Sequence, residues 1–111
     1  MPIAFSISDS SELGQRTVLT VQGALDRATA RELERWLASL STDSRAVVLD
    51  LSAVNELDEA CVEVVASASR RLAEHGRLLR IIVRDGRIKQ AFVAAGLPQV
   101  VQPDRRYRDH T

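Results

Sequence analysis

The sequence predicts an α/β fold, a small mixed and mostly parallel sheet with β-α superhelical winding. Two observations carry that reading. Stretches of strand character alternate with stretches whose apolar residues recur every three or four positions, in the order β-β-α-β-α-β-α-(β). Within this order, Val47-Val48-Leu49 is continuously apolar and β-favouring. Such a run suits a strand covered on both faces, as in a parallel sheet. Successive parallel strands need crossover connections, and the helical stretches between them supply these.

Ile3, Phe5 and Ile7 alternate with Ala4, Ser6 and Ser8, which predicts an edge strand with one buried face. A turn follows over 9–14, and the β-branched stretch from Thr17 to Val21 predicts a second strand, hairpin-paired and antiparallel to the first. Gly23-Ala24-Leu25-Asp26 then breaks the strand, with Asp26 as N-cap of a helix whose buried face is Ala30, Leu33, Leu37 and Leu40 and whose flank is Trp36. A polar loop over 41–44 leads to the central strand at Val47. That strand gives way to a second polar loop, and Asp58 caps a helix bearing Cys61, Val64, Val65, Ala68 and Leu72 on one face. Gly76 ends this helix. Leu78 to Val83 is the next strand, Asp85-Gly86 opens a helix with Ile88, Ala91, Phe92 and Ala95, Gly96 caps it, and Val100-Val101 adds a short last strand.

A chain of 111 residues suits one domain, here 1–102, with a polar tail over 103–111. Acidic and basic residues balance at 15 each, so the chain lacks the basic excess of a direct nucleic-acid binder. No apolar run approaches the ~20 residues that span a bilayer. The first residues have neither the basic nor the apolar segment of a signal peptide, and the expected setting is cytoplasmic. A single cysteine excludes an internal disulfide and a multi-cysteine zinc site. No glycine-rich phosphate loop is present, and no cofactor or metal is expected.

Two stretches resemble a known family. Asp50-Leu51-Ser52 followed by Asp58-Glu59-Ala60-Cys61 resembles the core motif of STAS domains, the fold of bacterial anti-sigma-factor antagonists. In that family a strand ending in Asp-Leu-Ser is followed by a loop and a helix starting Asp-Ser-Ser-Gly. Gly23, Leu25, Asp26, Thr29, Ala30 and Leu33 match a second family stretch in order and spacing. The resemblance covers roughly Thr17 to Val101. It implies a non-catalytic regulator that sequesters an anti-sigma factor or a related kinase-like protein, with Asp26, Asp58, Glu59, Ala60 and Cys61 at the partner-binding rim. A homodimer stays open, as does a targeting or scaffold role in a stress-signalling or transport assembly.

The departures fall at the regulatory positions. Where phosphorylation-controlled members carry the acceptor serine, this chain has Ala60, which has no hydroxyl. The preceding serine is Glu59, and the glycine is Cys61. The chain is then a permanently active antagonist, a diverged member with another partner or input, or one in which Glu59 imitates a phosphate with one charge where phosphoserine carries about two.

Read as chemistry, the same residues offer little catalysis. At a helix start, Cys61 could be held as a reactive thiolate, but its register with Val64, Val65 and Ala68 favours a packed side chain. His75 lies 14 residues on, ~21 Å along the same helix. As carboxylates at helix starts, Asp26, Asp58 and Glu59 are explained by capping and dipole complementarity. Arg105, Arg106 and Arg108 with Tyr107 form a basic stretch in the tail, which reads as solvated.

Overall fold

The computed structural model describes residues 4–10, 16–40, 46–97 and 100–101. Five strands form one sheet in sequence order: β1 (Ala4–Ser10), β2 (Arg16–Leu25), β3 (Ala46–Leu57), β4 (Leu78–Val83) and β5 (Val100–Val101). β1 pairs antiparallel with β2, and every later pairing is parallel. Helices α1 (Ala30–Ser39), α2 (Glu59–Glu74) and α3 (Gly86–Ala94) make the three crossovers. Each crossover steps one strand in the same direction, so crossovers of one hand stack all three helices on one face. The expected mixed, mostly parallel sheet and its winding are therefore present. Ile3 and the tail fall outside the described residues.

The core lies between that face and the helices. Leu19 and Val21 of β2, Val47, Leu49 and Leu51 of β3, and Leu79, Ile81 and Val83 of β4 alternate toward it. Leu33 and Leu37 of α1, Val65 of α2, and Ile88 and Phe92 of α3 close it from above. Val48 and Ile82 point to the opposite face and are also buried, so the double-sided burial expected of the central strand holds.

Several details depart from the sequence reading. The first strand does not bury a full face. Phe5 is half-buried and stacks on Trp36 of α1, with centroids 5.5 Å apart, whereas Ile7 is 39% exposed. At a sheet edge the helix layer ends, and Trp36 reaches only one of the two. The buried stripe of α2 is Cys61, Val62, Val65 and Ala68, and Val64 and Leu72 pack at its margin. Contact with α1 as well as the sheet rotates the stripe toward Val62. The break expected at Gly23 is not a break. β2 continues to Leu25 through Gly23, whose φ of 111° is a conformation that favours glycine.

The largest difference is in β3, which runs on to Leu57 instead of ending in a loop. Between the pairs Thr20–Asp50 and Leu25–Leu57 there are two more residues on β3 than on β2, and the register shifts twice. These are bulges. The first turns Val54 inward, where strict alternation from Leu51 would have placed Ala53. The bulged ends of β2 and β3 project beyond the shorter β4 and carry the rim described next.

Candidate functional site

Each of the three parallel strands β2, β3 and β4 is followed within two residues by an aspartate that starts a helix. Asp26 Oδ1 accepts from Thr29 N at 3.0 Å, opening a 3-10 turn over Arg27–Thr29 that leads into α1. Asp58 Oδ1 accepts from Ala60 N at 2.8 Å at the start of α2, and Asp85 Oδ1 from Arg87 N at 2.7 Å at the start of α3. All three caps satisfy amides that the first helical turn leaves open. The sequence assignments of Asp26 and Asp58 as caps hold.

The first two helix starts are also fastened to each other. Asp58 N donates to Leu25 O at 2.8 Å, and Cys61 Sγ donates to Asp26 O at 3.3 Å. Asp26, Asp58, Glu59 and Ala60 therefore meet on one rim at the carboxyl ends of β2 and β3. Glu59 is exposed, whereas Asp58 and Ala60 are half-buried. Cys61 takes the packed position that its register favours and not a place on the surface of the rim. Its side chain is fully buried in the core, so it presents no surface to a partner and acts on the rim only through the backbone it holds. Burial pushes its thiol up from 9.0 to about 11; the neighbouring Asp58 and Asp26 carboxylates add to the rise, and the Thr29 hydroxyl partly offsets it. A low-pKa thiolate is thus opposed by the site itself. His75 caps the far end of α2, with its Nδ1 2.9 Å from Arg71 O.

The Asp50-Leu51-Ser52 motif has a local role. Ser52 donates to Asp50 Oδ1 from both its amide (3.0 Å) and its hydroxyl (2.7 Å), a clasp located at the first bulge of β3. The motif marks where the strand departs from regular pairing toward the rim.

Beside the rim lies an open cleft of about 520 Å³. Leu25, Leu57, Ile88 and Ala91 form its apolar lining, and Asp26, Glu56, Asp58, Asp85 and Arg87 its charged one. Arg87 lies 3.4 Å from Asp85, and its side chain and amide hold that carboxyl below its usual range. The sequence reading missed Glu56, Asp85 and Arg87. A usable signal existed: the strand-then-Asp pattern recurs three times, and parallel neighbours bring the three aspartates to the same end of the sheet. Among the described residues, no group of three or more His, Cys, Asp or Glu side chains is placed to hold a metal ion.

The sequence profile of the family described as "Mlab, STAS domain" matches residues 8–102. The chain belongs to the STAS domain family. Solved structures share its fold. An anti-sigma factor antagonist from Mycobacterium paratuberculosis superposes with a TM-score of 0.77 at 24% identity, covering 95% of this chain and 89% of that one. The Bacillus cell fate determinant SpoIIAA in its phosphorylated form gives 0.69 at 12% identity, covering 95% and 97%. A murine solute carrier 26 family anion transporter gives 0.69 at 12%, covering 91% of this chain but only 18% of the transporter. Among curated proteins no match was found.

Proposed function

We propose that this STAS protein is a non-catalytic binding regulator that holds an anti-sigma factor, or a related kinase-like regulatory protein, at the start of α2. By occupying that partner it releases a sigma factor for transcription. The observation that carries the reading is the rim itself: Asp26 and Asp58 are fastened together by Leu25 and Cys61, with Glu59 exposed beside them. A preformed rim spends little conformational entropy on association. The shared fold with anti-sigma factor antagonists supports the choice of partner. Phosphate does not switch this rim at Ala60, which has no oxygen to accept it. The burial and raised pKa of Cys61 disfavour a thiolate nucleophile at the rim.

Affinity capture with mass spectrometry tests the partner class, and recovery of no anti-sigma or kinase-like ATPase domain counts against it. Incubation with the captured kinase-type partner and ATP should leave residues 58–61 unmodified. Glu59→Arg reverses an exposed charge at the helix start and should weaken the complex by about thirtyfold or more, the scale of an interface hot spot. Unchanged affinity would remove the α2 start from the interface.

A second reading has its own observation. The matched family is described under Mlab, and the solute carrier structure holds this fold as a minor part of a transporter. The chain would then be a targeting or scaffold module of a transport assembly. Capture of transporter subunits in place of an anti-sigma factor decides for it.

A further inference from the structure

The two edges of the sheet are unlike. β5 ends one edge with two residues, whereas β1 runs along the other for seven. Among the described residues β1 has no strand on its far side, so the backbone groups that face away from β2 form an open ladder. Proteins commonly blunt such an edge with lysine, proline or a bulge. Ala4–Ser10 contains neither lysine nor proline, and its pairing with β2 is unbroken from Ala4 to Ser10. An apolar strip follows the same edge. Phe5 and Ile7 lie opposite Val21 and Leu19 and so point to the helix face. Phe5 is half-buried against a half-buried Trp36, and Ile7 is 39% exposed. We propose that β1 is a homodimer interface, through which two copies of this chain join edge to edge by antiparallel β1–β1 pairing.

A second copy fits both the open ladder and the apolar strip. A twofold axis perpendicular to the sheet sets two β1 strands antiparallel and joins two five-stranded sheets into one, with both helix layers on the same face. Residues directly opposite then share a face. Centred on Ser6, the register sets Phe5 opposite Ile7 of the partner subunit and Ile7 opposite Phe5 of the partner subunit. Each half-covered strip closes over the other, and Trp36 of each copy flanks the seam. Centred on Ile7, the register would set Phe5 opposite the acidic Asp9 instead, so the Ser6 register is the better one. Ala4, Phe5, Ser6 and Ile7 carry no charge, and the whole chain balances at 15 acidic and 15 basic residues, so no net repulsion opposes a second copy. One short strand and a few apolar side chains make a small seam, which gives a weak, concentration-dependent dimer. The rim lies at the ends of β2 and β3, inward of the seam, and stays open. Because the twofold reverses the strands, the two rims point to opposite ends of the joined sheet.

Sedimentation velocity of the full chain tests this without any partner of the rim, between about 5 and about 500 µM, a range that brackets weak association. The wild type should pass from monomer to dimer across it. Ile7→Lys places a charge on the edge and should stay monomeric throughout, with an unchanged urea midpoint because the site is exposed. Leu78→Lys, at a position 72% exposed at the start of β4, should dimerise like the wild type. Ser6→Cys supplies a second measurement. At the twofold its two Cα atoms lie ~4.5–5.5 Å apart, within disulfide range, so glutathione disulfide should cross-link the dimer at high concentration. The buried Cys61 does not compete. A wild type that stays monomeric at the highest concentration would overturn the proposal. So would a dimer that survives Ile7→Lys, one lost equally in Leu78→Lys, or one in which Ser6→Cys fails to cross-link.

Discussion

The two halves of β3 obey different rules. Ala46 to Leu51 pairs without interruption with β4, and as far as Asp50 with β2, and is buried at four of six positions. Ser52 to Leu57 is bulged twice, pairs only with β2, and buries Val54 alone. The first half is where the sheet is held together. The second half extends past β4 to place Glu56 and Asp58 at the cleft. One continuous strand thus serves the core at one end and the rim at the other, and the Asp50–Ser52 clasp marks the change.

Substitution should break the two halves unequally, and this is the largest expected effect. Leu49 is fully buried beneath the helix layer, so Leu49→Ala should cost about 2–5 kcal/mol, combining lost transfer energy with a residual cavity. Glu56 is exposed, and its side chain makes no hydrogen bond or ion pair among the described residues. Glu56→Ala should therefore change stability by no more than about 0.5 kcal/mol. Urea unfolding of both variants measures the contrast. Equal costs would show that the bulged extension carries as much of the fold as the regular half.

A second effect sharpens where core ends and rim begins. Cys61 belongs to the core by burial and to the rim by its bond to Asp26 O. Its folded pKa is raised to about 11 from 9.0, so the neutral thiol is favoured in the folded state. Above pH 9 the unfolded chain loses this proton first. The stabilisation is therefore complete below pH 9 and is lost as pH rises toward 11, in total on the order of 2 kcal/mol. Stability measured across that window should fall in the wild type and flatten in Cys61→Ala. Thiol reagents at neutral pH should modify native Cys61 slowly and the denatured chain quickly. Fast native labelling would mean that the rim opens around it.

This division also explains what the sequence revealed. The parallel core was legible because Val47-Val48-Leu49 and Leu79, Ile81 and Val83 keep the pattern a regular strand requires. The rim was half legible. Asp26 and Asp58 announced themselves as caps, since capping is local chemistry. The extension of β3 was hidden because each bulge adds a residue and resets the alternation, so a test for period two finds a loop in Ser52 to Leu57. Glu56, Asp85 and Arg87 were missed because they join the site only when parallel pairing aligns the ends of β3 and β4. The inward position of Cys61 was legible from its register, whereas Val62 was missed because the buried stripe of α2 is turned toward it and leaves Val64 and Leu72 at the margin.

The smallest effects separate the caps on the rim. Asp58 is half-buried where α2 joins the end of β2, and Asp58→Ala frees the Ala60 amide. It should cost about 1 kcal/mol, a usual value for losing an N-cap. Asp85, also half-buried, performs the same task for α3 but is bonded to Arg87, whose side chain is 89% exposed. Asp85→Ala should cost less than Asp58→Ala in the same unfolding assay. The bonds to Arg87 depress the Asp85 pKa, so their stabilisation is present above the ordinary value of 3.8 and disappears as pH falls through the lower folded value. Asp85→Asn should thus differ from wild type at neutral pH and converge on it in acid. If Asp58→Ala proves the milder of the two at neutral pH, the connection between β2 and α2 does not depend on its cap, and the rim is held by the Leu25–Asp58 backbone bond and the Cys61–Asp26 bond.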